Sequence, residues 1–331
     1  MVSKCSFLIT DNTVPYRNLA VEEYLTFHVE EEECILYLWQ NYHTVVIGKN
    51  QNCWKECKVN HLEEDGGHLV RRLSGGGAVF HDMGNLNFTF CVRKGNYDLE
   101  KQLSVILEAV NKLGLQAEKT GRNDITIGGR KFSGNAFLES GDFCYHHGTI
   151  LLDVNKADMS KYLNVSKEKL ASKSVDSVKS RVVNIAELAP DITVSKMCEK
   201  LIEAFGEVYG CEVENVSRER LEKDEISMLE KKFSSWDWKY GRKIPFQYEM
   251  GRRFLWGDIE LQLQVDGGII TEVCAHSDAM NQTFIAEIPN ALKGCIYNEA
   301  AMISAIKEIQ LLSDNQKQMV EDICCLIGEN L

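Results

Sequence analysis

The chain has 331 residues, 44% hydrophobic and 26% charged, with a formal net charge of −12. That profile belongs to a globular protein long enough for two domains or one large one. Its acidic balance argues against a chain built to neutralise nucleic-acid phosphates, so an anionic ligand would have to be met by a local basic pocket.

The opening stretch, MVSKCSFLITDNTVPYRNL, lacks the apolar core and small-residue cleavage site of a signal peptide. No run approaches the roughly 18 apolar residues of a membrane span. A cytoplasmic protein is expected, without nucleic-acid or membrane partners. The twelve cysteines are scattered with no zinc-like spacing, and free thiols are the expected state.

In chain order, residues 18–28 (NLAVEEYLTFH) carry Leu19, Tyr24 and Phe27 at helical spacing. Two β-rich runs follow, 34–39 (CILYLW) and 44–47 (TVVI), joined through QNYH and expected to pair with each other. Residues 68–73 and 78–80 give two more strands around a glycine run, and 87–92 alternates again. From Leu99 the period changes: Leu103, Ile106, Leu107 and Val110 form one helical face, with Gly114 placed to stop it. Residues 125–152 return to strands, with Gly128 and Gly129 marking a two-residue hairpin that needs positive φ. Residues 166–183 (SKEKLASKSVDSVKSRVV) are rich in serine and lysine and read as a mobile loop. Met197, Leu201, Ala204, Phe205 and Val208 rebuild a helical face, 218–233 reads as a charged helix, and 234–246 as a junction. A hairpin around Asp266, Gly267 and Gly268 and a helix over 299–312 complete the chain. The domain boundary is placed near residue 246, giving domains of 1–246 and 247–331.

Chemistry concentrates in two blocks, RRLSGGGAVFHDMGNLNFTF (71–90) and GRNDITIGGRKFSGN (121–135). Gly75, Gly76 and Gly77 make either a tight turn or a loop that a ligand approaches closely. No GK[ST] follows and no GxGxxG opens a helix, so a phosphate there would be met by backbone N–H groups and by Arg71 or Arg72. A lysine on a strand is usually solvent-facing, and Lys131 draws its interest from its neighbours. An ammonium beside such a loop can bridge a carboxylate and an α-phosphate, which acyl adenylation requires. Asp124 would orient that lysine, hold Mg2+, or make an ordinary surface salt bridge. His81, His146 and His147 stand in apolar strands, where most histidines are satisfied within the core. Cys144 reads as a small buried hydrophobe or as an acyl-accepting thiolate.

Together with NLAVEEYL (18–25), VVIGKNQNCWKE (45–56), HHGTILLDV (146–154), 163–185 and SSWDWKYG (234–241), these blocks resemble the lipoate–protein ligases. The resemblance implies an α+β fold: a biotin/lipoate ligase-like catalytic domain of mixed sheets flanked by helices, with a small α/β C-terminal accessory domain. It implies an enzyme that condenses lipoate with ATP, in the presence of Mg2+, to lipoyl-AMP and pyrophosphate. The lipoyl group would then pass to a lysine of a lipoyl domain, in a lipoate salvage step. The partners implied are acyltransferase subunits of 2-oxoacid dehydrogenases and the glycine-cleavage H protein.

By position, Arg71, Ser74, Gly75, Gly76, Gly77, Ala78, Val79 and Asn85 would line the ATP and lipoyl-AMP site. Lys131 would hold the lipoate carboxyl and α-phosphate through both half-reactions. Asn123, Asp124, Ser133 and His147 would complete the pocket, with Asp124 as second catalytic residue and Mg2+ ligand. Lys179 and Arg181 correspond to a loop closing over the adenylate, which must be kept from water. The dithiolane end is expected in an apolar tunnel walled by 44–47 and 78–80. Two alternatives stay open. One is a cysteine-dependent octanoyl or lipoyl transferase using Cys144, whose offset from Gly148 resembles the CxxHG of octanoyltransferases. The other is a transferase that uses preformed lipoyl-AMP.

Overall fold

Alternating and periodic runs resolve into one large mixed sheet with helices on both faces, and a smaller antiparallel sheet follows near the C-terminus. The structure, a computed structural model, describes residues 1–120, 124–164, 182–241 and 244–331. Its contacts divide it into two units. Met1–Val46, Glu56–Val70 and Val79–Ser235 form the first; Ile47–Lys55, Arg71–Ala78 and Trp236–Leu331 form the second.

The first unit is built on strands β1 (Lys4–Ile9), β2 (Glu33–Trp39), β3 (Thr44–Ile47), β4 (His68–Arg71), β5 (Val79–His81), β6 (Asn85–Arg93), β7 (Ala117–Thr120), β8 (Asp124–Ile127), β9 (Arg130–Ser140), β10 (Phe143–Leu151) and β11 (Val213–Asn215). Its helices are α1 (Pro15–Phe27), α2 (Leu99–Asn111), α3 (Lys156–Tyr162), α4 (Val194–Tyr209) and α5 (Lys223–Ser234). Among the described residues the large sheet has eight strands in the order β11-β1-β2-β6-β10-β9-β8-β7. β1 runs parallel to both its neighbours, and the other pairings are antiparallel.

One face of this sheet is apolar. Leu36, Leu38, Phe88, Phe90, Cys144 and Ile150 pack there against Leu103, Ile106 and Val110 of α2 and Met197, Leu201 and Phe205 of α4. Those helical positions match the period read in the sequence. Asp98 caps α2 by accepting from the Lys101 N–H, and Gly114, at φ 78°, turns the chain after it. Thr193 caps α4, and Gly210 ends it in the left-handed region at φ 70°. The opposite face receives α1, which starts on Pro15 in its first turn.

Two expectations need correction. CILYLW and TVVI do not pair: β2 lies between β1 and β6, whereas β3 lies between β4 and β5 in a separate three-stranded sheet. The linking residues redirect the chain, with His43 held at φ 40°, the one positive value for a non-glycine among the described residues. Nor are all the thiols free. Cys5 of β1 and Cys211, just before β11, form a disulfide across a separation of 206 residues, and β1 and β11 are neighbouring strands. The other ten cysteines are not disulfide-bonded.

The second unit contains α6 (Trp236–Tyr240), strands β12 (Tyr248–Phe254), β13 (Gly257–Asp266) and β14 (Ile269–Ser277), and helices α7 (Gln282–Leu292), α8 (Glu299–Lys307) and α9 (Asp314–Asn330). The strands form an antiparallel meander, with Gly267 and Gly268 at φ 56° and 81° in the predicted hairpin. Ile259, Leu261 and Ala275 pack against Ile285, Ile288, Ile306 and Ile323. α7 went unrecognised in the sequence because Pro289 sits inside it.

Candidate functional site

The hairpin between β8 and β9 turns on Gly128 and Gly129, at φ 55° and 74°. A register shift then sets Thr126 opposite Lys131 and Ile125 opposite Ser133. Phe132 is fully buried in the apolar core. Lys131 Nζ lies 2.6 Å from Asp124 Oδ1, with side chains 36% and 39% exposed. The Lys131 backbone is fixed from the other side by Val183, whose N–H donates to its carbonyl at 2.9 Å.

The lysine stem lies across Gly134. A Cβ at that position would sit 3.0 Å from Lys131 Nζ and 3.1 Å from Cε. We expect Gly134→Ala to displace the ammonium, because the flexible lysine end is what must give way. Any reaction that relies on the placement of this ammonium should slow about tenfold, with little change in stability. Pre-steady-state measurement checks this; an unchanged rate would show that Gly134 does not set the lysine's position.

Strand register extends the site across the sheet. Asp124 stands opposite Gly134, Thr149 opposite Asn87, and Asn87 opposite Trp39. The Gly134 N–H donates to Thr149 Oγ1 at 3.3 Å, so the five residues make one row. The next row carries Ala136, His147, Thr89 and Tyr37. Over it, α1 presents Glu22, which is 1% exposed. Its Oε1 accepts from His147 Nδ1 at 2.8 Å and from the Thr89 hydroxyl at 2.7 Å, and Trp39 Nε1 donates to Thr89 Oγ1 at 3.1 Å. Tyr37 donates to Asn18 at 3.2 Å, Asn18 to Asn41 at 3.0 Å, and Asn41 Nδ2 lies 3.2 Å from His81 Nδ1. A buried carboxylate is costly unless bonded in this way, so the network forms a rigid polar floor.

Asn85 donates to Asn87 Oδ1 at 2.9 Å. Asn85 Oδ1, Asn87 Nδ2 and Ser133 Oγ are buried and have no hydrogen-bond partner among the described residues. Buried polar atoms are ordinarily hydrogen-bonded, to protein or to water. Lys131, Asp124, Asn85, Ser133, His147 and Val79 thus all belong to the first unit, and Lys131, Asp124, Asn85 and His147 stand on this sheet face or its edge. Glu22, Asn87, Thr89, Gly134 and Thr149 join them without having been singled out from the sequence. One signal for Glu22 was available: it is a charge on the helical face that carries the buried Leu19 and Leu25.

His146 and Cys144 point to the opposite, apolar face. Burial, reinforced by the neighbouring His147, pushes the His146 imidazole down to about 3, and its Nε2 lies 2.8 Å from Asn135 Oδ1. Burial, with Glu139 nearby, pushes the Cys144 thiol up to about 11. A thiol in that setting stays protonated and unreactive.

The glycine loop belongs to the second unit, as do Arg71, Ser74 and Ala78. The Gly76 N–H donates to the Ala279 carbonyl at 3.3 Å, and Gly76 sits at φ 88°. At Gly75 a Cβ would lie 2.3 Å from that same carbonyl oxygen, so only glycine fits. At Gly77 it would meet nothing within 4 Å. Packing therefore explains Gly75 and backbone conformation explains Gly76, while Gly77 is constrained by neither.

Arg71, which the resemblance places at the nucleotide, is bonded to the main chain here. It is 2% exposed, and its guanidinium donates to five backbone carbonyls. NH1 reaches Gly48, Lys49 and Gln51 at 3.2, 3.1 and 2.6 Å; Nε reaches Trp238 at 3.0 Å; NH2 reaches Lys239 at 2.7 Å. Trp238 Nε1 returns a bond to the Arg71 carbonyl at 2.8 Å. Arg71 is thus a clamp between residues 48–51 and α6. Arg72 wraps the loop itself, donating to Ser74 Oγ at 3.0 Å and to the carbonyls of Gly75 and Gly77 at 2.6 and 2.9 Å.

Among the described residues no cluster of three or more His, Cys, Asp or Glu is suited to a metal. Among the described residues Asp124 is the carboxylate paired with Lys131, and a single carboxylate would suit Mg2+ only with most of its ligands supplied from elsewhere. Asn123, Lys179, Arg181 and most of the 166–183 loop lie outside the described residues.

Residues 14–206, more than half of the chain, match the lipoyl protein ligase A/B catalytic domain. The chain belongs to the lipoate–protein ligase family. Residues 243–327 match the bacterial lipoate protein ligase C-terminus. P. falciparum LipL1, solved in complex with lipoate, is 29% identical over 99% of this chain and 100% of that one, with a TM-score of 0.86. A structure from the lipoylation system of Thermoplasma acidophilum, a bi-partite lipoate protein ligase and its E2 lipoyl domain, is 24% identical over 75% of this chain and 100% of that one, with a TM-score of 0.64. A lipoate-protein ligase A bound with ATP is 23% identical over 73% and 99%, with a TM-score of 0.62. These last two likenesses are of fold. Membership makes the protein an enzyme of lipoyl attachment.

Proposed function

We propose that this family member activates lipoate with ATP and transfers the lipoyl group to a lysine of lipoyl domains. Those would be carried by acyltransferase subunits of 2-oxoacid dehydrogenases and by the glycine-cleavage H protein, in a cytoplasmic salvage step. The observation that carries the reading is the Lys131–Asp124 pair, held over Gly134 at the end of a polar row on the sheet. The lipoate bound to LipL1 supports the choice of acid.

In the first half-reaction a lipoate carboxylate oxygen attacks the α-phosphorus and pyrophosphate leaves. Lys131 would lie between those two anions, so its ammonium offsets repulsion that grows toward the transition state. Asp124 would hold the lysine in place before substrate arrives. Bound at Asp124 and the phosphates, Mg2+ would supply charge neutralisation for the departing pyrophosphate. Asn85 and Asn87, on the polar face, offer polar atoms that would orient a ligand, and the Glu22–His147 network holds the strands beneath them. In the second half-reaction the acceptor amine attacks the acyl carbon, AMP leaves, and Lys131 would remain on the phosphate.

The cysteine route is disfavoured by the buried, protonated Cys144. Cys144→Ser is expected to retain most lipoylation activity in an assay with lipoate, ATP and an acceptor lipoyl domain. A loss of about a thousandfold, the scale of a missing nucleophile, would favour a thioester mechanism instead. Supplying preformed lipoyl-AMP in place of ATP and lipoate separates activation from transfer in the same assay.

A further inference from the structure

A groove of about 700 Å³ lies in the second unit, between α7 and the end of α8. Its apolar lining includes Phe284, Ala291, Ala305 and Ile309, and Leu312 stands 75% exposed at its edge. The only charged residues lining it are Glu287 and Glu308. Neither makes an ion pair among the described residues; Glu287 receives one long hydrogen bond of 3.5 Å from Asn290. The surrounding chain has the same sign: residues 244–331 hold 13 acidic and 5 basic residues, so eight of the chain's twelve net negative charges fall there.

We propose that this groove docks a basic amphipathic helix of a partner protein. A trough along an 11-residue helix, with Phe284, Ala291, Ala305 and Ile309 among polar lining residues, suits the apolar stripe of a short amphipathic helix. Two unpaired carboxylates among the lining residues select lysine or arginine beside that stripe. A second copy of this chain, at net charge −12, would bring like charge to the groove. An anionic membrane or nucleic acid is repelled for the same reason.

The test uses the full chain and a fluorescein-labelled peptide made only of leucine and lysine at helical spacing, about as long as α7. Fluorescence anisotropy should show saturable binding, weakened about tenfold by Glu287→Lys combined with Glu308→Lys. Ile309→Asp should weaken it comparably, with circular dichroism confirming the fold. Asp266→Lys combined with Glu272→Lys makes the same change in net charge on the exposed hairpin and should leave affinity unchanged. A peptide with glutamate in place of lysine should not bind. Equal weakening by both charge-reversal pairs would mean nonspecific attraction to an acidic protein and would overturn the proposal. So would full affinity in the groove pair, or no binding of the lysine peptide to the parent.

Discussion

Lys131→Ala is expected to abolish lipoyl-AMP formation while the folded protein keeps close to its parent stability. The side chain is 36% exposed and its pairing with Asp124 is of the surface kind, worth about 1 kcal/mol or less. The fold therefore has little to lose. The reaction has much more at stake, since a fixed ammonium between two anions contributes several kcal/mol at the transition state, or about a thousandfold in rate. Release of pyrophosphate from ATP and lipoate, followed beside a thermal melt, reads both quantities. Retained adenylate formation in a well-folded variant would remove Lys131 from the central role.

Arg71→Ala should do the reverse, damaging the structure first. Five backbone carbonyls of residues 48–51 and of α6 would lose a buried charged donor at once. The expected cost is about 3 kcal/mol, seen as a fall in thermal midpoint on the order of 5–10 °C. Arg71→Lys should rescue little of this, because one ammonium cannot reproduce a planar fork of donors. Parent-like melting with a selectively raised KM for ATP would instead make Arg71 a phosphate ligand.

Much of the architecture was legible because its signals are local. The glycine pairs at 128–129 and 267–268 announced their hairpins, and the spacing of Leu103, Ile106 and Val110 announced α2. What failed was partner choice. CILYLW and TVVI are adjacent in the chain and both strand-like, yet they enter different sheets, pairing with β1 and β6 in one case and with β4 and β5 in the other. The Cys5–Cys211 pairing depends likewise on β1 and β11 becoming neighbours.

The site shows the same division. Lys131 and Asp124 sit on one hairpin, so their meeting was readable. Glu22 meets His147 across 125 residues, and Arg71 finds its acceptors in main-chain carbonyls, which no side-chain motif encodes. Gly134 was visible as a letter, but its purpose appears only once the Lys131 stem is seen to lie over it.

The central claim is activation of lipoate by this chain, and one incubation addresses it: protein with lipoate, ATP and Mg2+, and no acceptor. Pyrophosphate release together with protein-bound lipoyl-AMP is the predicted result. Absence of both, with supplied lipoyl-AMP still transferred to a lipoyl domain, would contradict it and leave a transferase that depends on another enzyme for activation.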